Sequence, residues 1–225
     1  MQKENIPSTP KYTAFFFDFD YTLADSSKGI VTCFRIVLDR HSCNDISDES
    51  IKRTIGMTLE DSFAQLTGIS DREQLIALKD EYLKEADVIM SDNTFLYEDT
   101  LPLILQLKKH NASVGIISTK QSYIIRQTLE KYRIELLFDT VIGLLDVKKT
   151  KPDPEGLLLG MKELNANTPN TLYIGDNIID AQTAQAIGVD FVAVTTGMTS
   201  KEDFAPYPHQ AIISRLSELS EVISL

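Results

Sequence analysis

Carboxylates, hydroxyls and a lysine occur together in four short stretches of the sequence. In the first stretch, Asp18 and Asp20 follow the apolar run Ala14–Phe17. Four consecutive apolar residues are few for a helix and typical of a strand buried on both faces, as in a parallel sheet. Alternation along such a strand puts both acids on one face, and its carboxyl end opens into the crevice where α/β sheets bind ligands.

Similar polar groups occur in three later stretches. Ser118-Thr119-Lys120 follows a predicted strand, so its hydroxyls and free backbone N–H groups stand at a helix N-terminus, a ready anion site. Lys151-Pro152-Asp153-Pro154 precedes a predicted helix; the prolines stiffen the lysine loop and suit the helix's first turn. Gly175-Asp176-Asn177-Ile178-Ile179-Asp180 follows another strand and holds two acids four residues apart. Together these groups are suited to binding phosphate and Mg²⁺.

Each stretch taken alone also has a purely structural explanation. Ser118 and Thr119 could cap a helix, Lys151 could be a solvated surface residue, and Asp180 could complement a helix dipole. The ordered set is harder to obtain by chance, because each member comes at a predicted strand end or helix start.

The elements that must position these groups follow from hydrophobic periodicity. Strands alternate with helices from Leu101 onwards, which indicates βαβ units around a parallel sheet flanked by helices. Residues 26–91 show only helical patterns. The sequence therefore predicts an α/β core of residues 1–25 and 92–225 and a helical subdomain of residues 26–91, joined by linkers near Ala24–Ser27 and Ser91–Asp99. The last element is predicted as a helix over Arg215–Ile223.

The charge balance argues against two classes of partner. The chain has 33 acidic and 22 basic residues and a net charge of −11, which disfavours a nucleic acid or an anionic membrane as partner. It has no apolar stretch of about 20 residues, and Met1–Tyr12 lacks an apolar signal core, so we expect a cytoplasmic protein. The sequence leaves monomer and homodimer equally open.

The four stretches, beginning with Asp18-Phe19-Asp20-Tyr21-Thr22-Leu23, resemble the four-motif signature of the haloacid dehalogenase-like hydrolase superfamily over nearly the whole chain. The helical insert is similar to the cap of the phosphoglycolate phosphatase and β-phosphoglucomutase branch. The resemblance implies a Rossmann-like parallel sheet core with an inserted all-helical cap, and a Mg²⁺-dependent phosphatase acting on a small phosphorylated metabolite.

The resemblance also implies a role for each acid. Asp18 would be the nucleophile that forms an aspartyl-phosphate, and Asp20 would be the general acid and base. Mg²⁺ would bind Asp18, the backbone carbonyl of Asp20 and Asp176, with Asp180 nearby.

The implied phosphate contacts come from Ser118, the Thr119 backbone N–H and Lys151. Gly56 lies in a segment that resembles the family's substrate loop, although a plain loop between two helices explains that segment equally well. Tyr21 stands where much of the family has glycine, so the detailed backbone turn after Asp20 is the least certain part of the resemblance.

The residues disfavour some activities of this superfamily and leave the substrate open. A sugar-phosphate mutase is disfavoured because it would carry a histidine and an arginine where this sequence has Ile30 and Leu59, and Asp20 disfavours a dehalogenase or a phosphonate hydrolase. Phosphoglycolate, a sugar phosphate, a nucleotide and inorganic pyrophosphate are all possible substrates, since cap geometry decides among them. A binding module with vestigial catalysis is the alternative outside enzymes.

Overall fold

Six parallel strands form the central sheet of the computed structural model, which describes residues 11–223. The order is β5-β4-β1-β6-β7-β8, with every neighbouring pair parallel. A second sheet pairs β2 with β3. The strands are β1 (Ala14–Phe17), β2 (Ala24–Asp25), β3 (Phe95–Leu96), β4 (Ser113–Ile117), β5 (Thr140–Ile142), β6 (Thr171–Gly175), β7 (Asp190–Val194) and β8 (Ala211–Ile213).

The apolar run that opens the chain's first motif is the central strand β1. Phe15 and Phe17 pack into the hydrophobic cluster on one face of the sheet, whereas Ala14 and Phe16 pack into the cluster on the other. Burial on both faces explains why the run is continuous rather than alternating. Ala14 is in register with the first residues of β4 and β6, so the carboxyl ends of the three strands meet at one edge.

Helices cover both faces of the sheet, and the helices that lie between β2 and β3 in the sequence form a separate layer. The layer has its own apolar core, in which the Phe34 ring lies 4.8 Å from the rings of both Phe63 and Tyr82. The helices are α1 (Ser27–Arg40), α2 (Asp48–Lys52), α3 (Leu59–Thr67), α4 (Arg72–Ile89), α5 (Thr100–Lys109), α6 (Ser122–Lys131), α7 (Glu155–Glu163), α8 (Ile178–Ile187), α9 (Lys201–Phe204) and α10 (Leu219–Val222).

This architecture confirms the predicted fold class, a parallel sheet core flanked by helices with an inserted helical segment. The division into a core and a cap at residues 26 and 91 stays a prediction. Residues 1–10, part of the segment expected to lack a signal core, lie outside the described residues, as do residues 224–225. Within the described chain, no helix combines the length and apolarity that a membrane span requires.

One strand pair was not predicted, and the bounds of one predicted helix are wrong. The predicted linkers contain the antiparallel pair β2–β3, in which Ala24 pairs with Leu96, because the two connections between sheet and helical layer run side by side. The last predicted helix is instead a 3₁₀ turn over Leu216–Glu218 followed by α10. Both elements are too short for periodicity to resolve.

Candidate active site

Three buried acids meet at the carboxyl edge of the sheet. Asp18 directly follows β1, Asp176 directly follows β6, and Asp180 lies in the first turn of α8. Each offers a carboxylate oxygen, and these oxygens lie within 4.8 Å of one another. The register of β1 and β6 brings Asp18 and Asp176 together, and a capping box in which Asn177 N donates to Asp180 Oδ2 fixes the start of α8.

Lys151 is the cation of this three-acid cluster. Its Nζ lies 2.9 Å from Asp18 Oδ1 and 2.6 Å from Asp180 Oδ1, and its side chain is only 3% exposed. Tyr173 Oη donates a second hydrogen bond to Asp180 Oδ1 at 2.8 Å. Burial lowers the pKa of Lys151, but Asp18 and Asp180 outweigh it, so the net shift is upward and the lysine stays charged.

One lysine does not neutralise three carboxylates. Burial raises the pKa of Asp18 to about 7; Lys151 opposes this shift, whereas Asp180 and Asp20 add to it. Burial, followed by repulsion from Asp18 and Asp180, also raises the pKa of Asp176 well above its ordinary value. The cluster therefore holds protons more readily than isolated acids do, and a bound cation would favour the ionised carboxylates.

The hydrogen bonding of Asp18 agrees with a cation site. Asp18 Oδ1 is buried and, although 2.9 Å from Lys151 Nζ, has no hydrogen-bond partner of suitable geometry within residues 11–223. A buried carboxylate oxygen without a satisfied contact is costly unless something else binds it. The donor set of carboxylate oxygens fits a hard divalent cation.

The carboxylate of Asp20 lies outside the three-acid cluster and has different partners. Its Oδ1 accepts hydrogen bonds from Lys120 Nζ at 2.6 Å and from Ser26 Oγ. Any metal contact by Asp20 would therefore come from its backbone. Tyr21 adopts a left-handed backbone with φ of 59°, so the turn that favours glycine is kept with a tyrosine in it. Its backbone oxygen accepts from Thr196 Oγ1, which fixes this turn.

The predicted phosphate-binding residues lie around the same crevice. Ser118 is buried after β4, and its Oγ accepts from Lys120 N at 3.2 Å. The Thr119 hydroxyl is used differently: it donates to the backbone oxygen of Gly56 at 3.0 Å and so joins the sheet core to the helical layer. Gly56 has φ of +100°, and a Cβ there would lie 2.9 Å from Asn177 Nδ2, so both backbone and space require glycine.

A small cavity of about 40 Å³ lies between this edge of the sheet and the helical layer. Asp20 and Lys120 are its only charged lining residues within the described chain. Its remaining walls are mainly apolar, among them Ile30, Phe34, Ile55, Met57, Met90 and Ile124. Its position beside Asp20 and its mainly apolar lining suit a small organic group.

Sequence reasoning missed three contributors to the site. Lys120 was part of a recognised stretch but received no role, and Thr22 donates to Asp176 Oδ1 at 3.1 Å. The loop after β7 brings Gly197 against Asp176, where a Cβ would lie 2.0 Å from Oδ2. A signal for this loop existed, because the polar stretch Thr195-Thr196-Gly197 also follows a predicted strand.

Comparisons with known proteins agree with this arrangement. A family model described as haloacid dehalogenase-like hydrolase matches residues 15–194, a range that contains all four polar stretches. The chain belongs to this family of hydrolases. The resemblance inferred from the motifs is thereby confirmed.

Individual relatives of this hydrolase carry more specific descriptions. A crystal structure of a haloacid dehalogenase-like hydrolase from Bacteroides fragilis is 54% identical, has a TM-score of 0.91 and covers 93% of this chain and 100% of its own. A structure from Lactobacillus plantarum described as a phosphoglycolate phosphatase is 26% identical, has a TM-score of 0.83 and covers 94% and 99%. Pyrophosphatase PpaX of Bacillus mycoides is 26% identical over 95% of this chain and 98% of its own length.

Proposed function

We propose that this hydrolase is a Mg²⁺-dependent phosphatase that acts on a small phosphomonoester through an aspartyl-phosphate intermediate. The observation that carries the proposal is the setting of Asp18, a buried carboxylate at the end of the central strand, 2.9 Å from the Lys151 ammonium and grouped with Asp176 and Asp180. A carboxylate beside a lysine and a cation site can approach a phosphate dianion that would otherwise repel it.

Two displacements at phosphorus complete the reaction. First, an Asp18 oxygen attacks phosphorus in line, and the bond to the leaving oxygen breaks while Asp20 gives that oxygen a proton. The alcohol then departs. Second, a water attacks the phosphoryl group, Asp20 takes the water's proton, and the bond between phosphorus and Asp18 breaks to release phosphate.

The cation that fits the oxygen donors is Mg²⁺. The carboxylates of Asp18 and Asp176 and the backbone carbonyl of Asp20 would hold it, with Asp180 nearby as the partner of Lys151. When bound, Mg²⁺ would neutralise charge on the carboxylates and on the phosphoryl oxygens.

The phosphoryl group itself would be held by this chain's own donors. The Ser118 hydroxyl, the Thr119 backbone N–H and the Lys151 ammonium lie at the same crevice and would bind its equatorial oxygens, where negative charge must be stabilised. The Thr119 hydroxyl would not contact the phosphoryl group, because it donates to the backbone oxygen of Gly56.

The helical layer α1–α4 acts as the cap that selects the leaving group. It closes the cavity from above, and the contact from Thr119 to Gly56 is made in this closed arrangement. Closure excludes water from the phosphoryl group and places the organic part of the substrate against the apolar walls. The relative described as a phosphoglycolate phosphatase supports a small phosphorylated metabolite as substrate.

Inorganic pyrophosphate is the second candidate substrate. It is favoured by Pyrophosphatase PpaX, which matches this chain over 95% of its length. The same two displacements apply, with a phosphate as leaving group in place of an alcohol.

Hydrolysis of p-nitrophenyl phosphate with Mg²⁺ tests the proposal, using wild type, Asp18→Asn and the control Asp48→Asn, whose carboxylate is 61% exposed on α2. We expect Asp18→Asn to abolish release of nitrophenolate and the control to keep full activity. A phosphorylated protein should be trapped with wild type only. Equal release by wild type and Asp18→Asn, or none by wild type, would refute the proposal; the second result would favour a vestigial binding module. Phosphoglycolate, sugar phosphates, nucleotides and pyrophosphate then rank the substrates.

A further inference from the structure

Lys120 stands close to the proposed reacting groups, but neither the motifs nor the proposed mechanism gives it a role. We propose that Lys120 is a positioning residue that fixes which carboxylate oxygen of Asp20 faces the substrate. This inference rests on the proposed function, in which Asp20 carries the proton. It concerns the geometry of Asp20 and leaves the identity of the substrate open.

The ion pair between Lys120 and Asp20 is buried, unlike most ion pairs among residues 11–223. Nζ lies 2.6 Å from Oδ1, and the two side chains are 7% and 9% exposed. The ammonium also lies 5.6 Å from the centre of the Phe19 ring. Little screening by solvent or salt reaches such a pair, so it holds its geometry far better than a surface pair does.

The backbone of Lys120 is fixed on both sides. Its N–H donates to Ser118 Oγ at 3.2 Å, and its carbonyl accepts from Leu144 N at 3.0 Å. The second contact requires a glycine next to it, because a Cβ on Gly143 would lie 2.5 Å from the Lys120 oxygen. The lysine therefore reaches Asp20 from a rigid loop and not as a freely moving surface side chain.

The two oxygens of Asp20 have different environments. Oδ1 accepts from both Lys120 Nζ and Ser26 Oγ, and these donors occupy its lone pairs whether or not the carboxyl group is protonated. Within residues 11–223, Oδ2 accepts no hydrogen bond, and Asp20 lines the cavity. Oδ2 is thus left to carry the proton towards the leaving oxygen and to accept one from water.

Loss of the Lys120 ammonium would let the Asp20 carboxyl rotate. The effect would then depend on how much the leaving group needs a proton. An alkoxide leaving group needs one, and general acid catalysis is worth ~10²–10⁴-fold. A nitrophenolate leaving group is stable as an anion and needs little help. A purely structural role of Lys120 would lower both rates by the same factor.

The test compares kcat/KM for propyl phosphate and p-nitrophenyl phosphate, because kcat/KM reports the phosphorylation step and kcat includes the common hydrolysis step. The variants are Lys120→Met, Lys120→Arg and the control Lys149→Met, whose side chain is 73% exposed. We expect Lys120→Met to lose about 10²-fold on propyl phosphate and less than about 10-fold on p-nitrophenyl phosphate. Lys120→Arg should keep most of the wild-type kcat/KM for propyl phosphate, and the control should match wild type on both substrates.

Circular dichroism and thermal unfolding establish whether each variant is folded. If Lys120→Met does not fold, Ser26→Ala removes the other donor to the same oxygen and should show the same selective loss. Equal losses on the two substrates, or no loss in a folded Lys120→Met, would overturn the positioning role while leaving the proposed phosphatase intact. Lack of all Asp18-dependent activity in wild type would instead remove the proposed function, and this inference with it.

Discussion

Gly197→Ala should disable the proposed metal site by adding one methyl group. The new Cβ would lie 2.0 Å from Asp176 Oδ2 and 2.9 Å from its Cγ, whereas ordinary contacts begin at 3.4 Å. The carboxylate would therefore have to move by roughly 1 Å or more, and a displacement of that size can cost ~10²-fold in rate. The Tyr21 Cβ stands only 3.2 Å from the new methyl, so the loop has little room to retreat.

The movement of Asp176 would also break its existing contact. Its Oδ1 accepts from Thr22 Oγ1 at 3.1 Å, so rotation of the carboxylate away from Gly197 disturbs both oxygens. The backbone of Gly197 is outside the left-handed region, so the expected effect is steric alone. We expect a loss of about 10²-fold in kcat/KM together with a higher Mg²⁺ concentration for half-maximal activity.

Steady-state rates over a Mg²⁺ titration and calorimetric Mg²⁺ binding provide the measurement. Gly156→Ala in α7 is the matched control, because its Cβ would come no closer than 3.3 Å to Ile117 and alanine favours a helix. The control should stay within about twofold of wild type. Wild-type kcat/KM and an unchanged Mg²⁺ requirement in Gly197→Ala would show that the reasoning about Asp176 is wrong.

Three further perturbations have defined outcomes. The pKa of Asp18 is raised from 3.8 to about 7 in the folded state, so its neutral form stabilises the metal-free fold at acidic pH, and this contribution is lost as the pH rises to 7. Mg²⁺ should therefore raise Tm more at pH 8 than at pH 5. An equal rise in Tm at the two pH values would contradict this prediction. Lys151→Met leaves Asp18 and Asp180 without their cation and should lower the free energy of unfolding by about 3–5 kcal/mol in urea denaturation, with a loss below about 1 kcal/mol arguing against a buried pair. Thr119→Val removes one hydrogen bond to Gly56 and should raise KM about fivefold at similar kcat, whereas a fall in kcat alone would place the hydroxyl in chemistry.

Much of the fold could be predicted because the residue types of β1 indicate that it is buried on both faces. A run of apolar residues that ends at acids has few placements other than the middle of a parallel sheet, and the alternation that follows supplies neighbouring strands. The structure agrees, with Phe15 and Phe16 buried on opposite faces. The short pair β2–β3 could not be predicted, since two residues in each strand contain no period and their pairing depends on where the connections cross.

The sequence predicted which residues lie at the site but not which side chains contact each other there. Strand ends told where Asp18 and Asp176 would lie, because parallel strands in register bring their carboxyl ends together. Which acid each lysine contacts depends on loop geometry that the sequence does not encode locally. Lys120 is 100 residues from Asp20, and its place two residues after Ser118 gave no indication that its ammonium contacts the first motif.

The two acids of the first motif have different surroundings although they are close in sequence. Asp18 and Asp20 are two residues apart, yet Asp18 shares a buried cluster in which carboxylates outnumber the single lysine, whereas Asp20 has a lysine of its own. Because acids outnumber cations in the cluster, a bound cation would stabilise the Asp18 carboxylate, whereas the Asp20 carboxylate already has Lys120 as its ion-pair partner. The left-handed backbone at Tyr21 turns the chain directly after them. The residue after the two acids is thus free to differ in type, provided that it adopts this conformation, and a tyrosine held by Thr196 fulfils that requirement.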